Sequence, residues 1–433
     1  MILIYTHKIT PRIKYIFKHI FTLRLGAKID FTSDIQFFKE YDSFKISYAD
    51  QPIKDEFYIN PSEILLSHKI EDLDIEVGNW DGLPVFFTNK ENPFFEFDIF
   101  GASFYLISRY EEYLLHLKDD FGRFDPSSSL AFKNRFLNKP IIDFWIKRFK
   151  EKFLDFYPDI KFRKDSFKLI TCLEVPCAFD FKGKGLLRTV GGIFRDILRL
   201  DVYRLYRRIP VLLNFKTDPL DNYSSWIKLN RTNKIETVVF FLLSNFSRYD
   251  RNLSIYSKTF LEKIKDVADF CEVSLLSSYS SIENDELLKN EMETLQSIIH
   301  RPILKTRQNL LKINFPSSYR NFARLGITQD YSLQYYDLPG FRASTTNPFY
   351  FFDLENELET KLLLNPVCVS DRVLKIYKKP VVARQVLEEI TRYVKEVDGI
   401  MTLALNNSIN SDYSTNFKWK NMFKKYFKSH GKN

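Results

Sequence analysis

The sequence predicts two domains: an α+β domain over residues 1–160 and an α/β domain over residues 166–433 with a mainly parallel sheet or barrel. Three observations support this prediction. The chain of 433 residues, 45% apolar, is long enough to bury two cores. A polar, basic connector begins at Tyr157-Pro158-Asp159. Beyond it, apolar runs of strand length alternate with helical patterns, which is typical of parallel β/α folds.

The first domain combines short alternating segments with a few amphipathic helices. Pro11 stands where a helix begins, because proline fits the first helical position. In order, the predicted elements are a strand over 1–6, a helix over 12–24, short strands between 30 and 88, and helices over 98–117 and 141–156. Because strands and helices do not alternate regularly here, we expect an α+β unit.

The second domain shows the alternation that a parallel sheet requires. The predicted strands cover residues 167–173, 235–242, 272–276, 302–304, 325–327 and 400–405. The predicted helices cover residues 255–268, 283–299, 353–364 and 381–397. In such folds the functional side chains gather at the C-terminal ends of the strands.

The net charge of +9 and the pI near 9.0 are compatible with an anionic partner, but the charges are spread along the chain. We therefore expect no nucleic-acid partner. Four cysteines are too few for a disulfide scaffold. The apolar start of the chain is too short for a signal peptide, and no stretch approaches the length of a membrane span. These features predict a cytoplasmic protein without a transmembrane segment.

Short polar clusters follow several of the apolar runs in the second domain. They are Thr171–Cys177, Leu276–Tyr279, Thr306–Asn309, Gly340–Thr345 and Leu405–Ser408. None of the six histidines of the chain falls in these clusters. Each cluster is typical of a site segment in which a weaker residue stands where a strong metal ligand is expected.

The order of the motifs resembles that of the bacterial polysaccharide deacetylase family (carbohydrate esterase family 4, with a NodB-homology domain), in a branch with an added N-terminal α+β domain. The matching segments are Lys8–Arg12, Phe97–Phe104, Ser108–Tyr113, Gly122–Phe124, Lys182–Gly185, Arg248–Asn252, Asp330–Ser332 and Gly340–Ala343. The resemblance covers nearly the whole chain and implies a distorted (β/α) barrel of deacetylase type after the α+β domain. It also implies metal-assisted removal of an acetyl group from a sugar, which needs two carboxylates and several imidazoles around one cation.

The resemblance places weak ligands at the family's metal positions. Glu174 and Pro176 match the two aspartates of the first motif, so only one carboxylate is kept. Leu276, Asn309 and Asn406 stand where the family has histidines. Leu405 replaces a tryptophan. Because leucine cannot bind a cation and asparagine is a poor ligand for zinc-like metals, the resemblance implies no metal and no resident cofactor, unless the site is rebuilt.

Other positions keep the residue types of the family. By this resemblance, Glu174 and Asp330 are the candidate catalytic residues, and the candidate substrate-binding residues are Tyr279, Arg307, Asn309, Arg342 and Asn407. The two arginines could instead pair with Asp330 or Asp337 and brace the strand ends, since such ion pairs also organise sites.

Three further features have alternative interpretations. Cys172 and Cys177 could form a thiolate site, but their spacing does not match common zinc sites, and buried thiols are expected. Lys182-Gly183-Lys184-Gly185 lacks the remainder of a phosphate loop and is read as a flexible loop. The basic, amphipathic tail over 417–428 could bind a membrane, but docking on the domain is the simpler expectation.

The function predicted from the resemblance is that of a polysaccharide-deacetylase-like protein without metal-dependent catalysis. It would bind a saccharide, a glycoconjugate or a protein partner, such as an active paralogue, in surface-polysaccharide metabolism. The alternative is an active carbohydrate deacetylase or hydrolase with a site rebuilt around Glu174. Without a metal, such an enzyme would forgo Lewis-acid activation worth several kcal/mol.

Overall fold

The computed structural model describes residues 1–431, which form two compact units. The first unit consists of Met1–Phe167, Gly340–Pro366 and Ile390–Gly399. The second unit consists of Lys168–Pro339, Val367–Glu389 and the chain from Ile400 onward. The predicted boundary at residues 160–166 lies next to the first crossing between the units. However, the prediction assigns 340–366 and 390–399 to the second domain, whereas the structure groups them with the first.

The strands are β1 (Ile2–Tyr5), β2 (Ile29–Thr32), β3 (Lys45–Tyr48), β4 (Phe57–Ile59), β5 (Gly78–Trp80), β6 (Leu83–Val85), β7 (Lys168–Val175), β8 (Glu236–Leu242), β9 (Glu272–Ser277), β10 (Lys305–Gln308), β11 (Gln329–Asp330), β12 (Phe349–Asp353), β13 (Leu358–Leu364), β14 (Val369–Ser370) and β15 (Ile400–Asn406). The helices are α1 (Pro11–Phe17), α2 (Ile35–Glu40), α3 (Glu63–Leu66), α4 (Ile99–Ile107), α5 (Leu130–Lys133), α6 (Ile141–Phe156), α7 (Gly185–Leu198), α8 (Val202–Leu212), α9 (Tyr223–Thr232), α10 (Lys258–Ala268), α11 (Asp285–Ile299), α12 (Ser317–Arg324), α13 (Asp371–Ile376), α14 (Pro380–Glu396) and α15 (Phe417–His430). A π-helical segment, Lys18–Arg24, extends α1.

The first unit is built on a parallel sheet with strand order β2-β1-β3-β4. Helix α4 is buried along its whole length, and aromatic rings hold it against α1. Phe17 stacks on Phe100 at a centroid distance of 3.8 Å. Such aromatic contacts add to the free energy of burial. The phenylalanine-rich composition of the sequence therefore provides much of this core.

Buried polar side chains join the separate chain segments of the first unit. Arg12 is fully buried and donates from Nε and Nη2 to Glu357, at 2.8 and 2.6 Å. Asp143 accepts hydrogen bonds from the Thr345 hydroxyl at 3.0 Å and the Thr346 amide at 2.7 Å. Since a buried charge is costly without a partner, residues 340–366 complete this unit.

The second unit contains seven parallel strands in the order β11-β10-β9-β8-β7-β15-β14. Helices connect most of these strands, and the sheet curls into half a barrel. The predicted α/β class of this domain, with a distorted barrel-like sheet, is confirmed. In the register, Glu174 lies opposite Phe240 on one side and Asn406 on the other. The C-terminal ends of β7 and β15 therefore meet at the same edge.

Several predicted elements differ from the structure. The helix predicted over 98–117 ends at Ile107, because Arg109 adopts a left-handed conformation with φ 54°. The helix predicted over 353–364 is wrong. These residues complete β12, turn at Glu357 with φ 49° and return as β13, which pairs antiparallel with β12. Burial of Leu362 and Leu364 on one face of β13 outweighs the helix propensity of this segment.

Other differences are shifts and omissions. The strands predicted over 302–304 and 325–327 begin three and four residues later, as β10 and β11. Helices α7, α8 and α9 are not among the predicted elements. The C-terminal helix α15 buries Trp419, Phe423 and Phe427, so the predicted docking of this tail on the domain is confirmed. Within residues 1–431, no helix is both long and apolar enough to span a bilayer.

Candidate functional site

A cavity of about 430 Å³ opens at the C-terminal ends of β7, β10, β14 and β15. Its lining residues come from these strand ends and the loops after them: Glu174, Pro176, Tyr249, Arg251, Arg307, Asn309, Leu310, Leu311, Tyr336, Ser370, Asp371, Arg372, Lys375, Asn406 and Ser408. This is the position at which α/β folds place their sites. The lining includes three of the predicted site residues, Glu174, Arg307 and Asn309.

Glu174 and Arg307 form an ion pair at the floor of the cavity. Arg307 donates from Nε to Glu174 Oε1 at 2.6 Å. The arginine side chain is 1% exposed and the glutamate side chain 22%. A charge-assisted hydrogen bond of this length holds the carboxylate in one orientation. Glu174 therefore reaches the cavity with one oxygen already engaged by a cation.

The remaining nitrogen atoms of Arg307 are also engaged. Nη1 donates to the Tyr331 carbonyl, and Nη2 donates to Gln334 Oε1 at 2.9 Å. The predicted bracing role named Asp330 or Asp337 as the partner of Arg307, whereas the structure pairs it with Glu174. The two residues lie on β7 and β10, and this long-range pairing is not visible in sequence spacing.

Asp330, a predicted catalytic residue, is not among the residues that line the cavity. It is fully buried, and its carboxylate accepts hydrogen bonds from the amide and hydroxyl of Ser332 at 2.8 and 2.6 Å. Burial raises the pKa of Asp330 to about 6, although the Ser332 hydrogen bonds and the charge of Arg307 act in the opposite direction. The hydrogen bonds between Asp330 and Ser332 hold the turn that these residues form.

Asp250 organises one wall of the cavity. This carboxylate is 1% exposed and accepts from the Tyr279 amide at 2.8 Å and from Asn309 Nδ2 at 2.9 Å. The Tyr279 ring packs on Tyr249 at 4.3 Å and carries the Lys312 ammonium at 4.5 Å. Sequence reasoning placed Asp250 in a family-like segment but assigned it no role, because its two partners follow different strands.

The same wall contains strained backbone. Leu310 and Leu311 both have positive φ, 56° and 55°, although neither is glycine. Each such residue costs of order 1–3 kcal/mol and persists only where the surroundings determine it. The two residues directly follow Asn309 and line the cavity. Strain therefore occurs where the chain turns Asn309 toward Asp250.

The opposite wall is formed by the start of α13 and the end of β15. Asp371 accepts from the Asn406 amide at 2.9 Å and pairs with Lys375 at 2.9 Å. Arg372 lies over the Tyr336 ring at 4.4 Å and donates to its hydroxyl. Nothing in the sequence singled out Asp371 or Arg372, because they follow the two-residue strand β14 without a recognisable motif.

Three of the predicted substrate-binding residues do not line this cavity: Tyr279, which packs on Tyr249, and Arg342 and Asn407. Arg342 belongs to the first unit, is 3% exposed and donates from Nε and Nη2 to Glu112 at 2.9 and 2.6 Å. Asn407 is buried and donates to the Cys177 carbonyl at 2.9 Å and the Tyr223 hydroxyl at 3.1 Å. Both contacts are structural, and Arg342 braces a carboxylate other than Asp330 or Asp337.

The donor set at the family's metal positions does not fit a divalent cation. Leu276 and Leu405 are buried in the core, Asn309 is turned toward Asp250, and Glu174 is paired with Arg307. Among residues 1–431, no group of three or more His, Cys, Asp and Glu side chains lies close enough to hold a metal ion. Soft and hard metals alike need several such ligands around one point.

A thiolate site is also unsupported by the environment of the cysteines. Burial raises the pKa of the Cys172 thiol to about 12 and raises that of Cys177 as well. The Cys177 thiol donates to the Phe179 carbonyl at 3.1 Å and does not line the cavity. Because metal binding requires the thiolate, a raised thiol pKa at both positions disfavours a thiolate site.

Residues 2–158 match the model of a family of unknown function, DUF7033. No curated protein matches the chain. Among solved structures, a protein assigned as a polysaccharide deacetylase from Mycobacterium smegmatis is similar with a TM-score of 0.39 and 11% identity, over 61% of this chain and 85% of that one.

Two further solved structures are similar over 61% and 62% of the chain. A protein assigned as a polysaccharide deacetylase from Pseudomonas aeruginosa PAO1 gives a TM-score of 0.36 and 13% identity, over 61% of this chain and 86% of that one. A mutant of a CE4-family pseudoenzyme with restored enzymatic activity gives 0.31 and 8%, over 62% of this chain and 64% of that one. These three proteins carry the family names, polysaccharide deacetylase or CE4, that the motifs of this chain predicted.

Proposed function

We propose that this protein is a deacetylase-like binding protein that holds a saccharide with an acidic group in the cavity at the strand ends. The single observation that carries the proposal is the charge state of the lining. Both lining carboxylates are already paired, Glu174 with Arg307 and Asp371 with Lys375, at 2.6 and 2.9 Å. The exposed cations Arg251 and Arg372 remain to face a ligand. They favour an anionic group over a neutral one.

Aromatic side chains supply the second part of the recognition. Tyr249 and Tyr336 line the same cavity, with Tyr279 packed on Tyr249 at 4.3 Å and Arg372 over the Tyr336 ring at 4.4 Å. A sugar ring has an apolar face that can pack on an aromatic ring while its hydroxyls bond to polar neighbours. Asn406 and Ser408 provide such neighbours at the rim. The lining thus combines cationic, aromatic and amide groups of the kind that a glycan carboxylate or phosphate requires.

The position of Glu174 argues for binding rather than hydrolysis. A general base must be free to take a proton from water, and its carboxylate must lie within hydrogen-bonding reach of that water. Here Arg307 engages one oxygen, and the metal positions offer no ligand set. Amide hydrolysis without Lewis-acid activation would lack several kcal/mol of transition-state stabilisation.

The test is a calorimetric titration of the full chain with two matched oligosaccharides, one neutral and one carrying uronic acid groups. We expect the acidic oligosaccharide to bind more tightly. The variants Arg372→Ala and Arg251→Ala should each weaken its binding by about tenfold, since a charge-assisted contact is worth about 1.5–3 kcal/mol. Arg231→Ala is the matched control, because Arg231 is exposed on α9 away from the cavity. Equal binding of both sugars would contradict the proposal.

The alternative, an active deacetylase rebuilt around Glu174, makes a different prediction. Release of acetate from acetylated oligosaccharides would then be measurable and would be lost in Glu174→Gln, which keeps the shape but removes the base. Retention of about one equivalent of zinc after desalting, abolished by Glu174→Ala, would likewise favour this alternative. We expect neither, because Glu174 is held by Arg307.

The cellular setting follows from the same proposal. A cytoplasmic binding protein of surface-polysaccharide metabolism would act beside an active paralogue, and the four cysteines, all free thiols, suit a reducing compartment. Size-exclusion chromatography of a native lysate tests the partnership. Elution as a complex with a deacetylase would support it, and elution of the free monomer alone would contradict it.

A further inference from the structure

A helical hairpin of the second unit, residues 185–215, exposes an unusual number of large apolar side chains. It consists of α7, a short turn and α8. The exposed apolar residues are Leu186, Leu187, Val190, Phe194, Ile197, Leu198, Leu200, Val202, Tyr203, Tyr206, Ile209, Leu213 and Phe215. Leu187 is 90% exposed and Phe215 is 80% exposed. Scattered exposed apolar residues are normal, but a contiguous set of this size marks an interaction surface.

These side chains form one face on each helix. On α7 they recur at positions 186, 190, 194 and 197, and on α8 at positions 202, 206 and 209. Residues three or four apart share a face of an α-helix, so both helices are amphipathic. In a globular protein such a face normally covers the core. Here both faces point away from it.

The polar side of the hairpin explains this orientation. Arg208 on α8 is 2% exposed and pairs with Asp196 on α7 at 2.5 Å. Arg204 pairs with Asp180 at 3.0 Å, and Asp180 also accepts a hydrogen bond from Tyr413. The Arg208–Asp196 pair joins α8 to α7, and the Arg204–Asp180 pair attaches the polar side of the hairpin to the rest of the unit. The apolar side therefore faces outward.

The C-terminal helix α15 provides an internal comparison. It is also basic and amphipathic, yet its aromatic residues Phe423, Tyr426 and Phe427 are fully buried. The fold can therefore cover such a face when the helix packs on the domain. On the hairpin the face stays open, which indicates an external partner.

The charges on the hairpin indicate the kind of partner. The hairpin carries the acids Asp196 and Asp201. Its basic side chains are Arg188, Arg195, Arg199, Arg204, Arg207 and Arg208, and Lys216 follows directly. Both acids are engaged, Asp196 with Arg208 and Asp201 with the Arg204 amide at the start of α8. Arg195, Arg199 and Lys216 are exposed. An apolar stripe beside a basic face is typical of helices that lie in the interface of an anionic membrane.

The geometry points to a peripheral membrane-binding function for the hairpin: its apolar face inserts among the acyl chains of an anionic bilayer, and its arginines contact the lipid phosphates. Helix α7 has 14 residues, far fewer than a span requires, so the helices lie in the plane of the interface. This function is independent of ligand binding in the cavity. It would bring a saccharide-binding protein to the surface where lipid-linked glycans reside.

The experiment is flotation of the full-length protein with vesicles of phosphatidylcholine alone or of equal parts phosphatidylcholine and phosphatidylglycerol. We expect binding to the anionic vesicles and little to the neutral ones. Leu187→Glu combined with Phe194→Glu should lower the bound fraction by at least about tenfold, since each glutamate replaces an apolar side chain that would enter the acyl region with a charge. Raising the salt to ~1 M should weaken binding, because the Debye length falls to about 3 Å.

The matched control is Phe270→Glu combined with Leu304→Glu, which adds the same charges at exposed apolar positions of the same unit outside the hairpin. This control should keep full vesicle binding. Thermal unfolding checks that both double variants are folded. Equal vesicle binding by the two variants would overturn the proposal. The proposal would also be overturned if the protein bound no vesicles but formed a dimer that only the hairpin variant lost. The occupant of the apolar face would then be a second copy of the chain.

Discussion

At the residue scale, the Arg307–Glu174 pair decides what the cavity can do. An arginine that is 1% exposed needs partners for its charge and its donors, and this one finds Glu174, the Tyr331 carbonyl and Gln334. The free-energy cost of burying the charge of Arg307 is compensated only while all these contacts are kept. The glutamate that the motif comparison offers as a catalytic residue is thus also part of the support of the strand ends.

A substitution at Arg307 should reveal this structural role. We expect Arg307→Ala to lower the free energy of unfolding by about 3–5 kcal/mol, because it leaves buried acceptors without a donor. Arg372→Ala is the control, since Arg372 is exposed and its loss should cost less than about 1 kcal/mol. Urea unfolding of the three proteins measures the difference. A loss at Arg307 no larger than at Arg372 would contradict the bracing role.

Glu291 makes stability depend on pH. This residue of α11 is 3% exposed, accepts from the Ser278 amide at 3.1 Å, and burial raises its pKa from 4.5 to about 7. The folded state therefore prefers the protonated acid. Its contribution to stability is fully present below pH 4.5 and is lost as the pH rises to about 7.

The variant Glu291→Gln should remove this dependence, because the amide keeps the shape without the charge. We expect the free energy of unfolding of the variant, relative to that of the native protein, to increase by ~3 kcal/mol at most as the pH rises from 5 to 8. Urea midpoints at the two pH values give the comparison. Glu286→Gln on the same helix is exposed and serves as the control. A pH-independent difference for Glu291→Gln would show that its burial does not govern titration.

At the scale of the element, α4 shows how one side chain can start a fully buried helix. Asp98 caps the helix and accepts from the Phe100 and Gly101 amides, both at 3.0 Å. Its other oxygen accepts from the Tyr48 hydroxyl and from Ser62, so it also fixes α4 against β3 and the start of α3. Sequence comparison highlighted the segment Phe97–Phe104, and these contacts explain the need for an acid there.

The variant Asp98→Ala should therefore cost more than the loss of an ordinary cap. We expect a decrease of ~3 kcal/mol or more in the free energy of unfolding, because several buried donors lose their acceptor. Asp34→Ala removes the exposed cap of α2 and should cost about 1 kcal/mol. Thermal unfolding of both variants makes the comparison. Equal losses would mean that the buried contacts of Asp98 add nothing to capping.

At the scale of the whole molecule, the first unit depends on chain segments far apart in sequence. Arg12 is neutralised by Glu357, Asp143 is hydrogen-bonded by Thr345 and Thr346, and Glu112 is paired with Arg342. All of these partners lie within 340–366. A chain cut after the connector would leave these buried charges without their partners.

This arrangement predicts the behaviour of fragments. A fragment of residues 1–167 should unfold without a cooperative transition or at a much lower urea concentration than the full chain. The same fragment joined to residues 340–366 by a flexible linker should recover a cooperative transition. Circular dichroism during urea unfolding distinguishes the two. If the fragment of residues 1–167 unfolded cooperatively at the same urea concentration as the joined fragment, residues 340–366 would be dispensable.

The sequence by itself determined the alternation of strands and helices in the second unit, the strand-end location of four of the five polar clusters and the lack of strong metal ligands at the family-like positions. These features depend on local periodicity and residue type. The fifth cluster, Gly340–Thr345, follows no strand and lies in the first unit. Only the tertiary structure decided that Arg307 pairs with Glu174, that 353–364 forms strands, that Arg342 braces the first unit and that the 185–215 hairpin faces outward. Register and packing select partners far apart in sequence, and spacing along one chain carries no record of that choice.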